Sequence, residues 1–321
     1  MSDNNSIIRF GLIGAGKWGI NFIKTINKND KFSLVAVSSR NPSTKNFLKS
    51  ESIIYEKWQD MLSNLYFDGV IIASPPNTHF EIILECLKRK IPILVEKPIT
   101  TTLQDAEILL SIIKKDNFSP IILVDHVFLY HPHFIEMKRK IDEYGVINKI
   151  KSIGGNYGPF RKDISALWDW GPHDLSICLD LMKEMPIKVY AKTIKKQKIF
   201  NQKAELIEAK LLFSNNSVAE IIFGNLMDEK KRSVNLDFKD HILTFSPFNE
   251  EILGDFCISK NKKIPIESDH IKNKNLTPLE NILEKFAKAI ISNKEDIADL
   301  KLAVNVVNII EQIDCILNSE V

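Results

Sequence analysis

Residues 7–19, Ile7-Ile8-Arg9-Phe10-Gly11-Leu12-Ile13-Gly14-Ala15-Gly16-Lys17-Trp18-Gly19, run a short apolar stretch straight into a G-x-G-x-x-G, and an amphipathic segment follows to Lys28. The stretch at 7–13 is too short and too continuously apolar for a surface helix, so it reads as a buried strand. Between a strand and a helix each glycine has its own task. Gly14 permits the tight turn, Gly16 lets the backbone approach a pyrophosphate at the helix N-terminus, and Gly19 lets helix and strand pack closely. Lys17 and Trp18, lodged between them, join the three glycines as candidate cofactor contacts.

Outward from this loop the alternation continues. Apolar runs at 33–38, 68–73, 91–95 and 120–124 read as further buried strands, with amphipathic segments filling the intervals. One helix begins after Asn41-Pro42, a cap followed by proline at the first helical position. Another has Thr78 and Glu81 in capping-box spacing, with Phe80, Ile83, Leu84 and Leu87 along one side. The pattern predicts a doubly wound parallel sheet over residues 1–125, an α/β dinucleotide-binding Rossmann domain. At the tip of its second strand an NAD site normally offers a carboxylate to the ribose hydroxyls. Here the chain reads Val37-Ser38-Ser39-Arg40-Asn41, with no acid, and Ser39 and Arg40 suit a 2′-phosphate, so NADP(H) is favoured over NAD(H).

A chain of 321 residues exceeds one comfortable core and predicts two domains. Its 44% hydrophobic and 26% charged residues are those of a globular protein. Forty-three basic against 41 acidic residues leave a net charge of +2, which argues against nucleic acid as a partner. Lysine clusters around 188–203 and 258–275 read as solvated strand edges. The polar start and the lack of an apolar run of membrane-spanning length point to a cytoplasmic protein without a membrane partner. Cys86, Cys178, Cys257 and Cys315 are far apart, lack metal-like spacing, mostly sit within apolar stretches and read as reduced core residues.

Acid/base chemistry concentrates in Trp168-Asp169-Trp170-Gly171-Pro172-His173-Asp174-Leu175. Pro172 predicts a helix start there, with Asp169 at the positive N-terminal end, where a carboxylate orients or charges the first-turn imidazole of His173. Asp169 fits a plain helix cap equally well. Asp125, His126, His131 and His133 crowd together but straddle a strand-to-helix junction without a zinc-type spacing, so no metal is expected.

Two more segments stand at predicted strand ends: Ile72-Ala73-Ser74-Pro75-Pro76-Asn77-Thr78-His79, and Val95-Glu96-Lys97-Pro98. With the glycine loop and the Asp169/His173 spacing, they make the chain resemble the Gfo/Idh/MocA family, named for glucose-fructose oxidoreductase, inositol dehydrogenase and rhizopine catabolism. The resemblance implies a second, α+β domain over 126–321 with a large, mostly antiparallel open sheet, whose free face commonly forms a dimer or tetramer interface. Segments 147–157, 187–194, 205–213, 217–223, 232–238 and 241–245 read as its strands, with Asn215-Asn216 as a hairpin turn. Residues 278–291 and 296–317 read as closing helices.

Family chemistry is hydride transfer between a nicotinamide and a carbon bearing a hydroxyl, on a sugar or polyol. The resemblance makes Lys97 the lysine beside the nicotinamide, His173 the group that removes or returns the hydroxyl proton, and Asp169 the carboxylate that orients it. It adds Ser74, Pro75, Asn77, His79 and Glu96 to the cofactor set, although Asn77 also suits a helix cap and His79 a first-turn packing position. Pro98 after Lys97 leaves open a cis peptide that fixes the lysine. Val124–Pro132 and the Trp168–Asp174 turn look like the branch that acts on nucleotide-linked sugars for surface polysaccharides, with Tyr130, Arg161 and Trp168 as substrate contacts and Arg161 suited to a phosphate or carboxylate. Asp125 and His131 depart from that branch's usual residues. A polyol or free-sugar dehydrogenase is the alternative, and a non-catalytic cofactor-sensing regulator the alternative of another class.

Overall fold

The computed structural model describes residues 7–115, 120–248, 253–258, 261–265, 276–294 and 297–319. The chain divides into two compact units, Met1–Asp125 with Leu279–Val304, and His126–Pro278 with Asn305–Val321.

The first unit alternates strand and helix: β1 (Ile8–Ile13), α1 (Lys17–Asn27), β2 (Phe32–Ser38), β3 (Ile53–Tyr55), α2 (Trp58–Asn64), β4 (Gly69–Ile72), α3 (His79–Lys88), β5 (Ile93–Glu96), α4 (Leu103–Lys115) and β6 (Ile122–Asp125). Its six strands pair in parallel in the order β3-β2-β1-β4-β5-β6. The chain reverses direction across the sheet beside β1, so the glycine loop and the ends of β4 and β5 fall where ligands of open parallel sheets bind. Phe10, Leu12, Val70, Ile71, Leu94 and Leu123 are wholly buried, as strands covered on both faces require. Helix α7 (Pro278–Ser292) belongs to this unit from Leu279 onward, and its Phe286 stacks on Phe10 at 5.6 Å between ring centres.

Three local expectations change. The helix after Asn41 is a 3-10 turn over Pro42–Phe47, although Asn41 caps it as expected by accepting from Ser43 N at 3.0 Å. The Thr78 capping box does not form: a 3-10 turn at Pro76–Thr78 precedes α3, and Thr78 Oγ1 donates back to the Pro75 carbonyl at 2.7 Å. Strand β3 and helix α2 have no counterpart in the sequence reading, because β3 is a three-residue edge strand whose Ile53 and Ile54 are exposed.

The second unit carries α5 (Pro132–Tyr144), β7 (Lys149–Tyr157), α6 (Ala166–Met182), β8 (Lys188–Ile199), β9 (Gln202–Leu212), β10 (Val218–Gly224), β11 (Leu226–Asp237), β12 (His241–Phe245), β13 (Leu253–Cys257) and β14 (Lys262–Pro265). Eight strands form one sheet in the order β14-β13-β12-β11-β7-β10-β9-β8, antiparallel except where β7 meets β10. Asn215 and Asn216 make the hairpin between β9 and β10, with Asn216 at a φ of 66° and Asn215 Oδ1 accepting from Ser217 N at 2.9 Å. Of the lysine-rich segment 258–275, residues 262–265 form β14, while 259–260 and 266–275 lie outside the described residues. Helix α6 lies on β7, β9 and β10. The last helix, α8 (Ala298–Ser319), clusters with the first unit up to Val304 and with the second beyond it.

Candidate active site

In the first unit the glycine loop has the geometry that a dinucleotide needs. Gly14 sits at a φ of 95°, and a Cβ there would stand 2.6 Å from the Ala73 carbonyl oxygen. A Cβ on Gly19 would collide with the Gly14 carbonyl. Gly16 is different: a Cβ would meet nothing within 4 Å, so its exposed backbone borders open space at the N-terminus of α1. Fixed backbone N–H groups facing that space fit a pyrophosphate. Lys17 and Trp18 are exposed beside it.

At the tip of β2, Arg40 projects into solvent, while the Ser39 hydroxyl is shared with Thr44 Oγ1 at 2.8 Å and accepts from Asn41 N at 3.1 Å. The tip residues Ser39-Arg40-Asn41 themselves include no acid. Beyond β4, Pro75 and Asn77 are exposed, and the Ser74 hydroxyl pairs with Thr78 Oγ1 at 2.7 Å. His79 takes the packing position in the first turn of α3. Its ring is wholly buried, with Nδ1 2.8 Å from the Pro98 carbonyl and Nε2 2.9 Å from the Ser74 carbonyl. Burial, and secondarily Lys97, pull its pKa down, while the two backbone hydrogen bonds pull it up. Both nitrogens being engaged, His79 ties the Ser74 loop to the Pro98 loop.

Lys97 follows the last residue of β5, half-buried, and its peptide bond to Pro98 is cis. Glu96 pairs in register with Asp125 at the end of β6. Trp18 Nε1 donates to Asp125 Oδ2 at 3.0 Å, a link between the glycine loop and β6 that sequence spacing does not reveal.

In the second unit, helix α6 starts six residues earlier than Pro172 predicts. Ser165 is its cap, accepting from Trp168 N at 3.5 Å, and Pro172 lies inside the helix. Gly171-Pro172 misleads because that pair normally breaks a helix. Asp169 nevertheless keeps its place in the first turn, and His173 lies one turn further on the same side. The His173 ring meets Phe128 edge to face at 5.2 Å, and Phe128 also carries the Arg232 guanidinium, 4.1 Å from its ring centre. Arg232 Nη1 donates to Asp174 Oδ1 at 2.8 Å, and Ser152 Oγ donates to the same oxygen at 2.7 Å. Asp174, the neighbour of His173, is thus the anchor of α6 on the sheet.

Arg161 is not the open anion receptor that its sequence position implied. Its Nε and Nη2 donate to Asp163 at 3.0 and 2.5 Å, and its Nη1 donates to Asp169 at 3.2 Å. Two carboxylates already neutralise the guanidinium, and the signal that could have foretold it is Asp163, two residues along the chain. Tyr130 closes a 3-10 turn at Val127–Tyr130, and Trp168 stands half-buried in the first turn of α6. Of the residues that crowd together in sequence, Asp125 accepts from Trp18, and His131 Nδ1 caps α5 by accepting from His133 N at 3.3 Å. Among the described residues no group of three or more metal-ligating side chains converges.

A parallel α/β sheet with this glycine loop, joined to a second sheet domain, defines an NAD(P)-binding Rossmann protein. Residues 8–120 match the Gfo/Idh/MocA family model "Oxidoreductase family, NAD-binding Rossmann fold". It is 26% identical over 196 residues to inositol 2-dehydrogenase 2 of Saccharopolyspora erythraea, covering 58% of this chain and 57% of that protein. It is 22% identical over 188 residues to the UDP-N-acetylglucosamine 3-dehydrogenase of Acidithiobacillus ferrooxidans, covering 58% and 57%. The chain therefore spans about half the length of these curated relatives. A solved structure from Magnetospirillum magnetotacticum MS-1 superposes with a TM-score of 0.84 at 29% identity, over 95% of this chain and 99% of that one.

Proposed function

We propose that the protein is an NAD(P)-dependent dehydrogenase or reductase of a CH–OH group on a sugar, polyol or nucleotide-linked sugar. The observation that carries this reading is Asp169 and His173 one turn apart on α6, with His173 braced by Phe128. Open space over Gly16 and the exposed Arg40 fit a dinucleotide. Bound there, a nicotinamide supplies or accepts the hydride. Lys97 places a cation by the substrate oxygen, stabilising developing alkoxide character. His173 holds the hydroxyl proton, and Asp169 sets the orientation of its imidazole. In this reading His173→Ala keeps cofactor affinity, measured by nucleotide fluorescence, and loses about 10²- to 10⁴-fold in turnover; undiminished turnover would refute the assignment.

The substrate divides two readings, both represented among relatives whose names specify inositol or UDP-N-acetylglucosamine. The aromatic Trp168 turn supports a nucleotide-linked sugar, whereas the prior pairing of Arg161 with Asp163 and Asp169 favours an uncharged polyol or free sugar. Turnover measured with UDP-sugars, free aldoses and inositols separates them. NADP(H) is the proposed cofactor, on the strength of Arg40 and the lack of an acid at the β2 tip. Arg40→Ala should weaken NADPH binding about 10- to 100-fold, the loss of a charge-assisted hydrogen bond, and leave NADH binding unchanged. Free cysteines at all four positions, with Cys315 exposed near the end of α8 rather than in the core, support a cytoplasmic setting, and no described helix is long and apolar enough to cross a membrane.

A further inference from the structure

Asp125 is 1% exposed at the end of β6, beside Glu96 at the end of β5. Asp125 Oδ2 accepts from the Trp18 indole, but Asp125 Oδ1 and Glu96 Oε1 are buried and receive no hydrogen bond from any described residue. Two ionised carboxylates cannot share such a space without a donor, whereas one proton between them satisfies both oxygens at once. We propose that Glu96 and Asp125 hold one proton between them, and that this pair, gripped by Trp18, ties cofactor affinity at the glycine loop to the ionisation state beside Lys97.

The titration behaviour agrees with the geometry. Burial raises Asp125 to about 6 and, with the Asp125 charge, raises Glu96 well above the usual carboxylate range. Among the described residues Lys97 is the other charged group acting on either carboxyl, and it opposes the rise. As a coupled pair they lose their two protons in separate steps, so one negative charge persists over an intermediate range of pH and a second appears only above it. That second charge faces the first turn of α1 through Trp18, where a dinucleotide brings its own negative phosphates. Cofactor affinity falls when the pair loses its last proton, and by linkage a bound cofactor raises the pair's affinity for that proton. The cofactor arm rests on the function proposed above; the proton-sharing arm does not.

The test uses the full chain without cofactor, following tryptophan emission from pH 5 to 9. A transition above the usual carboxylate range is expected, absent from Trp18→Phe. In Glu96→Gln the new amide donates to Asp125, and in Asp125→Asn the indole keeps an oxygen acceptor; in both the transition should vanish from this range. A wild-type signal independent of Trp18, or a transition unchanged in both amide variants, overturns the shared proton. In the second arm, wild-type affinity for NADPH and NADH should fall about tenfold across the same transition, one pKa unit of coupling, and stay level in Glu96→Gln and Asp125→Asn. Parallel pH slopes in all three proteins overturn the coupling. Failure of either nucleotide to bind at any pH removes the coupling and the proposed function together, while the emission titration still decides whether the pair shares a proton.

Discussion

Arg232 and Asp174 pair with side chains 1% and 0% exposed, and Gly154 on the neighbouring strand is bare because a Cβ there would run into both. Removing one partner strands the other charge away from water, so Arg232→Met should cost about 3–5 kcal/mol in denaturant unfolding, with Arg232→Met/Asp174→Leu recovering most of it. Because Arg232 also lies over the ring of Phe128, which meets His173 edge to face, the double variant tests positioning separately from stability. Recovered stability with turnover still depressed, and with an altered pH–rate profile, marks Arg232 as a positioning residue; full recovery of both limits it to the fold. The Glu96–Asp125 pair makes a stability prediction of opposite kind. Both carboxyls titrate above their unfolded values, so folding takes up a proton, and the stabilisation present below the ordinary carboxylate range is lost as pH rises through about 6 and beyond. Glu96→Gln should flatten that decline when Tm is followed from pH 4 to 9. At this scale the sequence is legible where chemistry lies in one turn, as with Asp169 and His173. It is opaque where the partner is distant, as with Trp18 and Asp125, 107 residues apart.

Helix α6 shows how an element can be read correctly in purpose and wrongly in extent. Pro172 resembles a helix start, yet Ser165 provides the cap, and the proline lies seven residues into a helix of 17. Inside a helix it donates no hydrogen bond to the Trp168 carbonyl, which sits in the turn between Asp169 and His173. Pro172→Ala restores the donor, worth up to about 3 kcal/mol by helix propensity, less the few buried methylenes it removes, for a net gain of about 1–2 kcal/mol. If the interior proline sets the spacing of Asp169 and His173, the same variant melts higher and turns over more slowly, with cofactor affinity unchanged. A melting gain without loss of turnover would show that the proline has no part in the chemistry. Strands with strong alternation, such as β7, β9 and β10, were legible to within a few residues because one face is buried and the other is not. Strand β3 was not, since an edge strand of three residues buries too little to impose a pattern.

For the molecule as a whole, the mostly antiparallel second sheet was implied by the family resemblance, whereas the parallel sheet followed from periodicity and the glycine loop, because strands buried on two faces read as continuous apolar runs. The parallel meeting of β7 and β10 did not, since strand order depends on contacts far apart in the chain. The open sheet leaves a further question of assembly. On β8, Tyr190, Lys192 and Ile194 lie on the side opposite the buried Ala191, and Tyr190 and Ile194 are 43% and 42% exposed. Ion pairs Lys149–Glu220, Lys151–Asp237 and Lys192–Glu208 cross between strands of the same sheet. Pairs this exposed contribute little each, about 0–1 kcal/mol, so any association through this face depends on the apolar residues between them. We therefore expect a homodimer or tetramer built on this sheet. Tyr190→Glu with Ile194→Lys should yield monomers in sedimentation velocity at concentrations where the unaltered protein associates, with NADPH affinity retained because the glycine loop lies in the other unit. Persistence of the oligomer in the double variant would move the interface elsewhere, and a monomeric parent protein at every concentration would rule out the assembly.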